Sequence, residues 1–113
     1  MLLISKRLYS VLAIFLGAMI MLSPISAQEL SEKDKQNAII VDVRSNKEFA
    51  ENANPSSINI PLDELESKLS LLDTEKTIVV CCVSGRRSAL AAAILKNNGF
   101  DHVIDAGPWR NTL

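Results

Sequence analysis

Only two of the 113 residues are cysteine, and they stand side by side as Cys81 and Cys82. So few cysteines exclude a scaffold stapled by disulfides. Without a Cys-x-x-Cys spacing, a thioredoxin-like dithiol exchange lacks its second thiol. Neighbouring Cα atoms lie about 3.8 Å apart across a trans peptide, below the usual disulfide range of about 4.4–6.8 Å, so a bridge between these two would be strained. Histidine occurs once, at His102, far along the chain from the thiols and at the start of a predicted strand, where a surface position is expected. An excess of charge of either sign is also absent: 12 basic residues face 13 acidic ones, with no basic stripe, which speaks against nucleic acid. The longest apolar segment, Leu8 to Leu22, has 15 residues, short of the roughly 20 needed to span a bilayer.

That segment follows Lys6 and Arg7 and precedes Ser23-Pro24-Ile25-Ser26-Ala27. This is the charged, apolar and small-residue order of a secretory leader cleaved after Ala27. No cysteine lies near Ala27 to carry a lipid, so contact with a membrane is expected only through the leader if it stays attached. Residues 28–113 then form one small domain. The leader removes two of the 12 basic residues and no acidic one, leaving a net charge near −3. Export to the periplasm is the corresponding expectation.

The chemistry concentrates in Cys82-Val83-Ser84-Gly85-Arg86-Arg87-Ser88. The β-branched run Thr77-Ile78-Val79-Val80 before it predicts a buried strand, and Ser88 to Lys96, rich in Ala, Leu and Ile without Gly or Pro, predicts a buried helix. The loop thus joins a strand end to a helix N-terminus, where free amides and the macrodipole favour an anion. A thiol there ionises easily, from about 8.5 toward roughly 3.5–7.5. Cys81, one residue earlier, points to the other face of its strand and is expected as a small buried hydrophobe.

The remaining segments alternate. Residues 29–37 are a polar lead-in or a single helical turn. Ala38 to Val43 predicts a strand buried on both faces, Ser45 caps a short helix over Asn46–Glu51, and Asn52 to Ser56 is a turn cluster. A short strand over Ser57–Ile60 ends at Pro61. Leu62, Leu65, Leu69 and Leu72 predict a helix over 62–72. Asn97-Asn98-Gly99 ends the helix after the thiol, His102 to Asp105 is a last strand, and Pro108 begins a final turn carrying Trp109 as a cover on the core. The expected fold is α/β, a small, mainly parallel sheet with helices on both faces. Ligands of such sheets sit beyond the carboxyl ends of the strands, where Cys82 lies.

Four segments together carry a family resemblance: Ile40-Val41-Asp42-Val43-Arg44 with Glu48-Phe49, Ile58-Asn59-Ile60-Pro61-Leu62, the loop from Cys82 to Ser88, and Gly99-Phe100. In this order the chain resembles the single-domain rhodaneses, or thiosulfate sulfurtransferases, particularly the small exported ones of the phage-shock type, over about Ala38 to Trp109. The resemblance implies a rhodanese-like fold and a two-step sulfur transfer in which Cys82 takes sulfur from thiosulfate as a persulfide and yields it to cyanide or a thiol. It also implies that the amides from Val83 through Ser84, Gly85 and Arg86 to Arg87 cradle the thiolate and the donor. Arg87 would be the loop arginine that stabilises the bound anion, Arg86 would add positive potential at the mouth, and Ser88 would either offer its hydroxyl to the loop or simply begin the helix. Asp42 and Arg44 are expected as structural support, Arg44 pairing with Glu48. Neither metal nor cofactor is implied, and a monomer is expected.

Two alternatives stand beside this reading. One is a persulfide carrier or interaction module without turnover, which would need Cys82 equally. The other is a phosphatase or arsenate reductase of related fold. Those enzymes place five residues between cysteine and arginine to ring a tetrahedral group; here that position is Ser88, and Arg87 closes a shorter ring that suits a sulfur atom better. The chain departs from the family's Gly-His-Ile-Pro-Gly-Ala run at Asn52-Ala53-Asn54-Pro55-Ser56-Ser57, a loop expected to differ in shape without touching the chemistry.

Overall fold

The computed structural model describes residues 28–113, so the leader assigned to residues 1–27 lies outside the described residues. Four strands, β1 (Ile39–Asp42), β2 (Ile58–Asn59), β3 (Ile78–Cys82) and β4 (Val103–Pro108), form one sheet in the order β2-β1-β3-β4, every pair parallel. β3 is central and completely buried, as its unbroken apolar run requires. The register sets Val41 beside Val80 and Asp42 beside Cys81. A shift between Val80 and Cys81 brings Pro108 opposite Cys82 at the carboxyl end of the sheet. β4 is an edge strand, where a residue without an amide proton does least harm. The free edge is met by Gln28, whose amide donates to Asp105 O at 2.8 Å while its side-chain oxygen accepts from Asp105 N at 3.1 Å.

Alternation along β3 divides the core into two layers. Ile78, Val80 and Cys82 face the larger one, with Val41, Val43, Leu65 and, from α3 (Arg86–Asn97), Ala91, Ala92 and Leu95. Val79 and Cys81 face the smaller one, with Ile40, Ala106 and Trp109. Leu30 and Ala38, which flank α1 (Glu32–Asn37), pack against this second layer, and the 3-10 turn Trp109–Thr112 supplies the tryptophan that covers it. Both faces are therefore covered, the second thinly.

Ser45 caps α2 (Asn46–Glu51) in a full capping box, its hydroxyl accepting from the Glu48 amide while the Glu48 carboxylate accepts from the Ser45 amide. The helix expected over 62–72 is instead two 3-10 segments, Leu62–Glu64 and Glu66–Leu71. Leu62 with Leu65, and Leu69 with Leu72, stand three apart, a spacing that a three-residue turn stacks directly. The Ser67 hydroxyl donates to Glu64 O at 2.8 Å, competing with a continuous α ladder. The helix after the thiol begins at Arg86 rather than Ser88, because Gly85 can cap it in the left-handed region. The last strand runs on from Val103 to Pro108.

Candidate active site

Cys82 is the last residue of β3 and only 1% exposed. Val83 and Ser84 carry the chain outward, with Val83 exposed, and Gly85 turns it back at φ 101° and ψ −8°. Only glycine adopts that conformation without strain. The turn aims the Gly85 amide at Cys82 Sγ, 3.0 Å away. α3 starts at the next residue and runs for 12 residues, so its N-terminal amides lie beside the sulfur. Ser88 is fully buried in the first turn, its hydroxyl donating to Gly85 O at 3.1 Å.

Two opposed effects act on the Cys82 thiol. Burial pushes it up, while the Ser88 hydroxyl and the amides of Ser88, Gly85 and Arg87 stabilise the thiolate; the donors together outweigh burial, and the thiol ends below its ordinary range. The Ser88 hydroxyl donates to Gly85 O in the structure and also acts on the sulfur in favour of the thiolate. Ser88 is therefore part of the thiolate's surroundings as well as of the helix start.

Cys81 sits one residue away under the opposite regime. Burial, with the Asp42 carboxylate close by, pushes its thiol up to about 12. It faces the layer of Ile40, Val79 and Trp109, as a small apolar filler. Asp42 is fully buried and Arg44 nearly so. Arg44 Nη2 donates to Asp42 Oδ2 at 2.7 Å and to Asn52 O at 2.8 Å, and its guanidinium lies 5.0 Å from the Trp109 ring centroid. One expectation is corrected: Arg44 pairs with Asp42 and not with Glu48.

Glu48 takes Arg87. Arg87 Nη1 donates to Glu48 Oε1 at 2.7 Å and Nη2 to Oε2 at 3.0 Å, across 39 residues of sequence. The Arg87 guanidinium, with the Ser45 amide next in effect, holds the Glu48 carboxyl down at about 2. The sequence gives no local sign of this pairing, because Glu48 has the nearer Arg44 as an expected partner and Arg87 stands 39 residues away. Also missed was Asn54, buried in the loop after α2, whose side-chain amide donates to Thr112 O at 3.1 Å and Thr112 Oγ1 at 3.0 Å. It ties that loop to the C-terminal turn, in the segment where the sequence departs from its resemblance.

The structure thus gathers Cys82, Gly85, Ser88 and the Arg87 amide around one sulfur. It leaves the side chains of Val83, Ser84 and Arg86 exposed, and His102 is exposed away from them. Among the described residues no group of three His, Cys, Asp or Glu lies together as a metal site. A cleft of about 440 Å3, lined by Gln28, Leu30, Lys35, Arg110 and Leu113 among others, shares no residue with the thiol loop.

A parallel sheet carrying a thiolate-stabilising loop at a strand end defines a class, and comparison with known proteins agrees with it. The Rhodanese-like domain model matches residues 26–106. The thiosulfate sulfurtransferase GlpE of Pseudomonas savastanoi pv. phaseolicola is 37% identical over 93 residues, covering 79% of this chain and 85% of that protein. A putative sulfur carrier protein of Bacillus subtilis, YrkF, is 39% identical over 69 residues, covering 61% of this chain, which spans only 37% of that protein's length. Among solved structures, a rhodanese with anions from E. coli superposes with a TM-score of 0.61 at 32% identity, over 66% of this chain and 89% of that one. The chain belongs to the rhodanese-like family. Its relatives include sulfurtransferases, and sulfur transfer in general is the activity this kinship supports.

Proposed function

We propose that the protein is a thiosulfate sulfurtransferase working through a persulfide on Cys82. The observation that carries the reading is the Gly85 N–H donated to Cys82 Sγ in the amide-lined mouth of α3, which favours the anionic nucleophile without a general base. In the first step the thiolate attacks the outer sulfur of thiosulfate, a new S–S bond forms on Cys82, and the old S–S bond breaks with its electron pair leaving on sulfite. In the second, cyanide or a thiolate attacks the terminal sulfur of the persulfide, and the Cys82 thiolate is regenerated. The amides of Val83, Ser84, Gly85, Arg86 and Arg87, with the Ser88 hydroxyl, hold the negative charge on thiolate and persulfide. No step needs a metal or cofactor. Asp42 and Arg44 support the strand end from the other face.

The likeness to a putative sulfur carrier favours one second reading, a carrier that is loaded once by a partner. Steady-state thiocyanate formation from thiosulfate and cyanide separates the two. Continuous turnover by reduced protein is expected, and a single equivalent of sulfur per chain would favour the carrier. We further propose that the domain is exported as a monomer to the periplasm after cleavage at Ala27, tested by intact mass, which should match Gln28 to Leu113.

A further inference from the structure

Four arginines lie among the described residues, at 44, 86, 87 and 110. Arg44 is held by Asp42 at 2.7 Å inside the protein. Arg110 lies over the Trp109 ring, 4.5 Å from its centroid. Arg87 is held end-on by both carboxylate oxygens of Glu48, so the charge of the guanidinium is matched by a carboxylate in contact with it. That leaves Arg86, which is exposed and, among the described residues, has no ion pair or side-chain hydrogen bond. It occupies the first position of α3, immediately after Gly85. Side chains on a helix lean toward its N-terminus, which here is the rim of the loop over Cys82.

We propose that Arg86, and not Arg87, binds the oxyanion of the sulfur donor and sets the preference for anionic donors. This rests on the proposed sulfur transfer at Cys82 and reverses the division of labour expected from the sequence. Arg87 is a positioning residue: clamped to Glu48, it ties the first turn of α3 to α2, and its own amide contributes to the thiolate cradle. Glu48 neutralises Arg87, so the excess positive charge at the mouth belongs to Arg86. An uncharged sulfane donor, such as an organic trisulfide, would gain nothing from it.

The test compares anionic iodoacetate with neutral iodoacetamide as alkylating agents of Cys82 in a Cys81→Ser background, at low salt and at a pH where the thiol of each variant is fully ionised. The ratio of the two rates reads the charge at the mouth and needs no turnover. Arg86→Gln should lower the ratio about tenfold while changing the iodoacetamide rate less than about twofold. The Glu48→Gln/Arg87→Gln double variant, which removes the ion pair without changing the net charge, should leave the ratio within about twofold. Glu48→Gln alone, which frees Arg87, should raise the ratio and keeps the comparison decisive if the double variant fails to fold. In turnover, Arg86→Gln should raise KM for thiosulfate by a similar factor with kcat nearly unchanged, and leave the uncharged trisulfide unaffected. An unchanged ratio in Arg86→Gln, or a fall in the Glu48→Gln/Arg87→Gln double variant as large as in Arg86→Gln, would overturn the proposal. If the wild type forms no thiocyanate, the enzyme reading fails by itself, and the alkylation ratio still decides the role of Arg86.

Discussion

Cys81 and Cys82 are neighbours in the chain and equally buried, yet the two faces of β3 give them opposite chemistry. On the Cys82 side the strand ends against a helix N-terminus, and burial is outweighed by the Gly85 amide, 3.0 Å from the sulfur, together with the Ser88 hydroxyl and the Ser88 and Arg87 amides. On the Cys81 side burial is reinforced by the Asp42 carboxylate and only partly opposed by the Arg44 guanidinium, pushing the thiol up to about 12. Burial alone therefore does not predict thiol reactivity; the orientation of donors around the sulfur decides it. The same division bears on redox state. The side chains enter separate core layers, so a disulfide between them would have to break the alternation of the central strand.

The largest effect should separate the cysteines themselves. Cys82→Ser is expected to reduce thiocyanate formation by more than about a thousandfold, because the nucleophile is lost. Cys81→Ser should keep activity within about twofold, and a comparable loss in the two variants would erase the distinction between the faces. Next comes the structural face. Asp42→Ala strands a buried arginine and should destabilise the domain by about 3–5 kcal/mol, read from the denaturant midpoint. Gly85→Ala places a side chain at φ 101° and should cost about 1–2 kcal/mol from backbone strain. The added Cβ would meet Gly107 Cα at only an ordinary 3.7 Å, so strain rather than collision is the expected cause.

Ser88→Ala should cost about 1 kcal/mol for the lost hydrogen bond. Removing a donor to the thiolate should also raise the alkylation midpoint of Cys82, slowing its alkylation at neutral pH several-fold, with no change at Cys81. The smallest effect concerns Glu48. Its folded pKa of about 2 lies below the unfolded value of about 4.3, so its contribution is complete above the unfolded value and is lost as pH falls toward the folded one. Because both partners are about a third exposed, 35% and 34%, the loss should be under about 1 kcal/mol. Glu48→Gln should remove that part of the acid sensitivity, which urea midpoints measured between neutral pH and acid would reveal.

Much of this architecture was legible in the sequence because local chemistry and global position agree there. The apolar run into Cys82, Ser45 before Asn46, and Pro108 before Trp109 each specify an element through adjacent residues. The thiol loop was legible for the same reason, since a cysteine, a glycine and a helix start within a few residues define an anion cradle locally. Residues 62–72 were not: leucines at 62, 65, 69 and 72 fit an α-helix and a pair of 3-10 turns almost equally, and packing against the sheet chose. Long-range polar pairs were hidden as well. Nothing near Glu48 points to Arg87, and nothing near Asn54 points to Thr112, because each contact exists only after the sheet is assembled. The division of roles between Arg86 and Arg87 depends on that hidden partner, which is why counting residues from Cys82 pointed to Arg87.

Whether the fold makes a thiolate at Cys82 is read from the pH profile of iodoacetamide alkylation of Cys82 in the Cys81→Ser variant, folded and in denaturant. The folded midpoint should lie below the unfolded one, since the Gly85, Arg87 and Ser88 donors outweigh burial. A folded midpoint equal to or above the unfolded one would mean that burial prevails at Cys82 as it does at Cys81, and would contradict the account.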